Sequence, residues 1–132
     1  EEGIWQALHD KWTEIRQALD SAEHFPPNLS REDIAQLDQN FHEMLASAVG
    51  NQFLYDMLRM IDERLHFLRT MDITTPEKLL RTCEQHLVIL QHIKDQDVVS
   101  AEKALRRNIN FGHSNVKEVL HFALAKSVFG QE

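Results

Sequence analysis

Proline interrupts this chain in only two places, at positions 26–27 and at 76, and glycine stands only at 3, 50, 112 and 130. Proline removes a backbone donor and clashes with the preceding helical turn, so helices are expected between these positions and not through the first pair. Within those stretches apolar residues recur at steps of three and four, the period of an amphipathic helix. There is no strand-like alternation, internal repeat or low-complexity stretch. The predicted fold class is all-α, an antiparallel helical bundle of about five to six helices.

The periodicity predicts a first helix from about Ile4 to Ala22, with Ile4, Trp5, Leu8, Trp12, Ile15 and Leu19 on its apolar stripe. Residues His24 to Leu29 form a connector around Pro26-Pro27. Ser30 is a suitable N-cap for a second helix carrying Ile34, Leu37, Phe41, Met44 and Leu45, with Glu32 and Asp33 in its first turn. Gly50 is a plausible C-cap. A third helix spans about Asn51 to Thr70 with Leu54, Met57, Leu58, Ile61, Leu65 and Leu68 inward. Thr75 followed by Pro76 is a helix start, since proline in the first turn forfeits no hydrogen bond. That fourth helix runs to about Ile93 with Leu79, Leu80, Cys83, Leu87, Leu90 and Ile93 inward. Asp97 can cap a fifth, from about Val98 to Val128, in which Gly112 marks a kink, a close contact or a break.

At 132 residues the size is that of one domain, 1–132, large enough for a core without staples. The formal net charge of −7 gives no global basic field for nucleic acid. Arg106-Arg107 is too short a basic run to argue for DNA contact. The single cysteine, Cys83, excludes an internal disulfide, fits a reducing compartment and reads as a small core residue. No run approaches the ~20 apolar residues of a membrane span. The chain begins at Glu1, so it is read as a fragment of a longer protein.

Polar residues on these apolar stripes carry the chemistry. Asp38 and His42 are four apart and share one face of the second helix. His86 lies between Cys83 and Leu90 on the fourth. Carboxylate oxygen and imidazole nitrogen suit a divalent metal such as zinc, with Asn108 or His113 on the fifth helix as a fourth ligand. Each of these residues alone is more simply a hydrogen-bonded group at the edge of a core. Arg64, Arg69 and Arg81 are candidates for holding a carboxylate, Arg64 first because it adjoins Leu65. Trp5 and Trp12 read as core or dimer contacts.

The order of these residues resembles a known family. Asp38-x-x-Phe41-His42, followed by Ala48-x-Gly50-Asn51-x-x-Leu54, is similar to the signature of the FCD domain. That is the effector-binding C-terminal domain of FadR-type regulators in the GntR superfamily. Glu84-Gln85-His86, Ile89-Leu90, Ile93, Asp97, Ala101 and Leu105 continue the family pattern in register, so the likeness covers about Leu37 to Leu120. The R-x-x-L-E pattern of the family's first helix has no clear match. The winged-helix DNA-binding domain is not in this sequence and would lie upstream of Glu1.

The resemblance implies a cytoplasmic, non-enzymatic, dimeric sensor of transcription. It would bind a small organic acid inside the bundle and contact DNA only through the missing N-terminal domain, with no membrane association. Many members hold a metal, zinc or nickel, through one aspartate and three histidines. Asp38, His42 and His86 match three of these positions, and Asn108 stands where the third histidine is usual, with His113 as an alternative ligand. Effector contacts are expected from Arg64, Arg69, Arg81 and Asn108. Two other classes fit the residues alone: a metal-dependent enzyme on a helical bundle, and a structural helical interaction module.

Overall fold

In the computed structural model the chain is all-α, and residues 2–19, 23–48 and 50–130 are described, with only the backbone described at Glu2 and Leu65. Five helices follow one another: α1 (Glu2–Gln17), α2 (Arg31–Ala48), α3 (Gln52–Asp72), α4 (Pro76–Lys94) and α5 (Val98–Phe129). Helix α1 therefore ends earlier than its apolar stripe predicts. Its last turn tightens as the Leu19 amide donates to the Arg16 carbonyl. Positions 20–22, to which the sequence extends this helix, lie outside the described residues.

Local chemistry sets the helix starts. The Asp33 amide donates to Ser30 Oγ at 3.0 Å while the Ser30 amide donates back to Asp33 Oδ2 at 2.9 Å. This reciprocal cap satisfies donors that the first turn leaves open. The Ser30 amide, then its hydroxyl, hold the Asp33 carboxyl below its ordinary value. That stabilisation is therefore present at neutral pH and is lost as pH falls below 3.8 through the depressed value. Asn51 caps α3 through Leu54, Thr75 caps α4 through Lys78, and Asp97 caps α5 through Ser100. Gly50, at φ 76°, closes α2 in the left-handed region that a side chain would strain. Helix α5 runs through Gly112 without a break.

The chain divides into two compact units. The first comprises residues 1–28 and 74–114. In it α1 packs antiparallel on α4, with Trp12 beside His86 and Arg16 beside Glu84. Trp12, Ile15, Leu19, Leu79, Cys83, Ile89, Leu90 and Ala104 are buried there. Each such large apolar side chain contributes roughly 1.5–3 kcal/mol on burial. Leu80, Leu87 and Ile93, expected inward, are half-buried, and Ile89 is a core residue outside the predicted stripe.

The second unit comprises residues 29–73 and 115–132. It is built on the α2–α3 hairpin, which closes as Arg31 donates to the Thr70 carbonyl. Asn115, on α5, donates to Asp72 at 2.9 Å. Ile34, Ala35, Phe41 and Ile73 are buried. Here the expected α3 face needs correction. Leu54, Met57 and Ile61 are exposed, Leu58 and Leu68 are only half-buried, and the Leu65 side chain lies outside the described residues. The residues that α3 buries include Asp62, with His66 and Arg69 partly covered. Helix α3 carries more apolar residues than one partner helix can cover, and α2 meets its polar side.

Candidate effector and metal site

One turn of α2 separates Asp38 and His42 and places them on one face, with Asp38 Oδ1 3.7 Å from His42 Nε2. Asp38 is buried and His42 nearly so. The ring of buried Phe41 lies edge-on to that of His42 at 5.5 Å. From α3, Arg69 Nη1 donates to Asp38 Oδ2 at 3.1 Å and Nη2 donates to Asp62 Oδ1 at 3.0 Å. One guanidinium thus clamps two buried carboxylates from two helices. Burial pulls the Arg69 pKa down, but Asp38 and Asp62 outweigh it, so the group is held above its ordinary value and stays charged.

The polar network continues along the hairpin. His66 Nδ1 meets Gln39 Oε1 at 2.9 Å, and His66 Nε2 pairs with Glu32. Gln39 Nε2 donates to Glu43 Oε1 at 3.1 Å. Burial pushes the Glu43 carboxyl up, and neighbouring Asp62 adds to the rise by hydrogen bond and like charge. Asp62, Gln39, Glu43 and His66 were not singled out from sequence. The available signal was the seven-residue spacing of Asp62 and Arg69, two helical turns on one face, which the choice of an apolar stripe for α3 obscured.

In the first unit, His86 is fully buried on α4 and its ring stands edge-on to Trp12 at 4.2 Å. Cys83, one turn earlier, is also fully buried, and burial pushes its thiol up to about 12. It is an inert core residue at neutral pH, as its setting in the sequence indicates. Asn108 on α5 is buried and its amide Nδ2 donates to Gln85 Oε1 at 2.8 Å. A groove of about 250 Å³ is lined by Arg81, Glu84, Gln85, Val88, Ala104 and Arg107. Arg81 is exposed and stacks its guanidinium over Phe111 at 5.4 Å.

Of the residues marked from sequence, the structure brings Asp38, His42 and Arg69 together. His86 and Asn108 are buried in the other unit, while Arg64, Arg81 and His113 are exposed. The α2 pair fits a metal. Bonds of about 2.1 Å in a tetrahedral site separate neighbouring ligand atoms by roughly 3.4 Å. The 3.7 Å between Asp38 Oδ1 and His42 Nε2 is close to that spacing. Arg69 occupies the other carboxylate oxygen, the kind of outer contact that orients a ligating group.

The FCD domain model matches residues 4–111. The chain is 24% identical over 118 residues to YdhC, an uncharacterised HTH-type transcriptional regulator of Bacillus subtilis (strain 168), covering 89% of this chain and 53% of that protein. It is 25% identical over 91 residues to the HTH-type transcriptional repressor RspR of Escherichia coli (strain K12), covering 67% of this chain and 39% of the repressor. The chain thus spans about half or less of the length of these relatives. No solved structure gives a significant match. No described helix is long and apolar enough to cross a membrane. With its motif residues on α2 and α4 and a family match over most of its length, the chain belongs to the FCD domain family.

Proposed function

We propose that this chain is the ligand-sensing regulatory domain of a FadR-type transcription regulator, binding a small carboxylate-type metabolite and acting as a cytoplasmic homodimer. The observation that carries the proposal is the Arg69–Asp38–His42 cluster, which sits on the family's motif. Evolution of a mere packing helix does not require a buried carboxylate held by a partly buried guanidinium. Such pairs add little net stability over apolar residues of the same volume.

Asp38, His42 and His86 would hold a divalent cation, zinc or nickel, with Asn108 at the position where the family usually has histidine. Asn108 is favoured over His113, which is exposed. The ion, when bound, would supply a Lewis-acidic point for the effector carboxylate. The neutral amide of Asn108 makes this a weaker site than one with three histidines. Among the arginines, Arg69 suits effector binding best, because it is partly buried and its five N–H groups exceed the two contacts it makes with Asp38 and Asp62. Arg64 and Arg81 are exposed and would contribute only at the rim.

An effector seated at Arg69 and Asp38 touches both helices of the α2–α3 hairpin. Differential affinity for two arrangements of these helices would shift their populations, and with them the placement of DNA-binding heads joined to the chain. The likeness to HTH-type regulators supports such heads.

The test is thermal unfolding with a panel of small carboxylic acids. A ligand bound only by the native state at a hundred times its dissociation constant adds about 2.7 kcal/mol. The expected result is a rise in Tm with at least one acid that is absent in His86→Ala. No shift with any acid, or a shift that survives this substitution, overturns the proposal.

A further inference from the structure

Helix α3 is turned with its polar side inward. Asp62, His66 and Arg69 engage residues of α2, while Phe53, Met57, Met60 and Phe67 face outward. Phe53 is 70% exposed and Phe67 56%. With Arg64, also exposed, these residues follow the steps 53, 57, 60, 64 and 67. Alternating intervals of four and three average 3.5 residues, the repeat of a seam that a second helix covers. The seam is about 21 Å long at 1.5 Å per residue. Exposed Leu54 and Ile61 widen it along one side. Together these six apolar side chains present roughly 600 Å², at the top of the range for a monomer surface and most of the ~800 Å² that each partner contributes to a stable interface.

We propose that this face is the interface between two copies of the chain, with their α3 helices antiparallel about a two-fold axis at Met60. The inference rests on the homodimer reading above and assigns the surface that forms it. The sequence of α3 is self-complementary in that orientation only. A two-fold at Met60 places Phe53 opposite Phe67 of the partner copy and Asp56 opposite its Arg64. Each contact occurs twice, as an isologous interface requires. Arg64 makes no ion pair among the described residues and so has its charge available. A parallel pairing would set Arg64 against Arg64 and Asp56 against Asp56, and like charges across a seam select against that arrangement.

The test uses sedimentation equilibrium of the chain and three exposed positions whose substitution leaves the core intact. Asp56→Arg and Arg64→Asp are each expected to weaken dimerisation at least about tenfold, and the double exchange to restore it, which corresponds to ~1.4 kcal/mol per exchange. Met60→Cys is expected to give a covalent dimer with a short bis-maleimide, whereas the parent chain does not, because Cys83 is buried with its thiol protonated. Circular dichroism verifies that each variant is folded. A dimer indifferent to both charge exchanges and not cross-linked at position 60 overturns the assigned face while leaving the homodimer reading intact. A parent chain that is monomeric at tens of micromolar overturns both.

Discussion

The α1–α4 pair and the α2–α3 hairpin are built from helices of similar length and amphipathicity, yet among the described residues only the hairpin buries carboxylates beside its apolar residues. Trp12, Ile15, Leu79, Cys83, Ile89 and Leu90 are the apolar core of the α1–α4 pair, in which Thr82 and His86 are the polar exceptions among the described residues. Between α2 and α3 run Asp38, Arg69, Asp62, Glu43, Gln39 and His66, and large apolar residues of α3 lie outside. A packed apolar core is stabilised by area and cannot change its contents cheaply. A charged network is close to break-even in free energy and responds to any ligand that changes its charge. Under the proposed function the first pair would serve mainly as a scaffold and the hairpin as the responsive element.

The contrast can be broken most severely from the scaffold side. Trp12→Ala or Leu79→Ala should each lower stability by ~3–5 kcal/mol, read as a fall in urea midpoint, because neither site can collapse around the lost volume. Phe53→Ala on the outer face of α3 should change the stability of the isolated monomer by no more than about 0.5 kcal/mol. Equal effects at the two sites would remove the distinction.

Next in size is Arg69→Met, which leaves the Asp38 and Asp62 carboxylates buried without their cation. Breaking one side of a buried ion network costs ~3–5 kcal/mol, and the partial exposure of Arg69 argues for the lower end. Adding Asp38→Asn and Asp62→Asn should recover much of the loss. If the triple variant is no more stable than Arg69→Met, the guanidinium stabilises by packing and not by charge.

The smallest effect sharpens the account of the network. The Glu43 carboxyl is raised by burial and by Asp62, so its contribution favours folding below 4.5 and is lost as pH rises through the elevated folded value. Glu43→Gln should therefore raise Tm slightly at pH 7, within the effect of a single partly exposed charge, and this gain should vanish below pH 4.5. A gain that is constant with pH would show that the carboxyl does not titrate against Asp62.

The sequence was legible where structure is decided by neighbours along the chain. Ser30, Asn51, Thr75 and Asp97 cap the helices they precede because an oxygen two or three bonds from the backbone needs no tertiary partner to find an amide. Asp38 and His42 were legible through helical spacing and a family motif. The buried side of α3 was not, since two apolar stripes compete and periodicity cannot say which one a partner covers. The Arg69 clamp was half legible for the same reason: Arg69 stood among the carboxylate-holding candidates, but its partner Asp62 lay off the stripe read as inward. At Gly112 the intrinsic cost of glycine was too small to break a helix with buried residues, Asn108 and Asn115, on either side of it.

Calorimetric titration of the metal-free chain with zinc tests the central assignment most directly, that Asp38 and His42 on α2 are ligands completed by His86 and Asn108. The expected result is one ion per chain, binding abolished in His42→Ala and in His86→Ala, and affinity raised about tenfold or more in Asn108→His, which supplies a third imidazole. Zinc binding that is absent in the parent chain, or unchanged in all three variants, would contradict it.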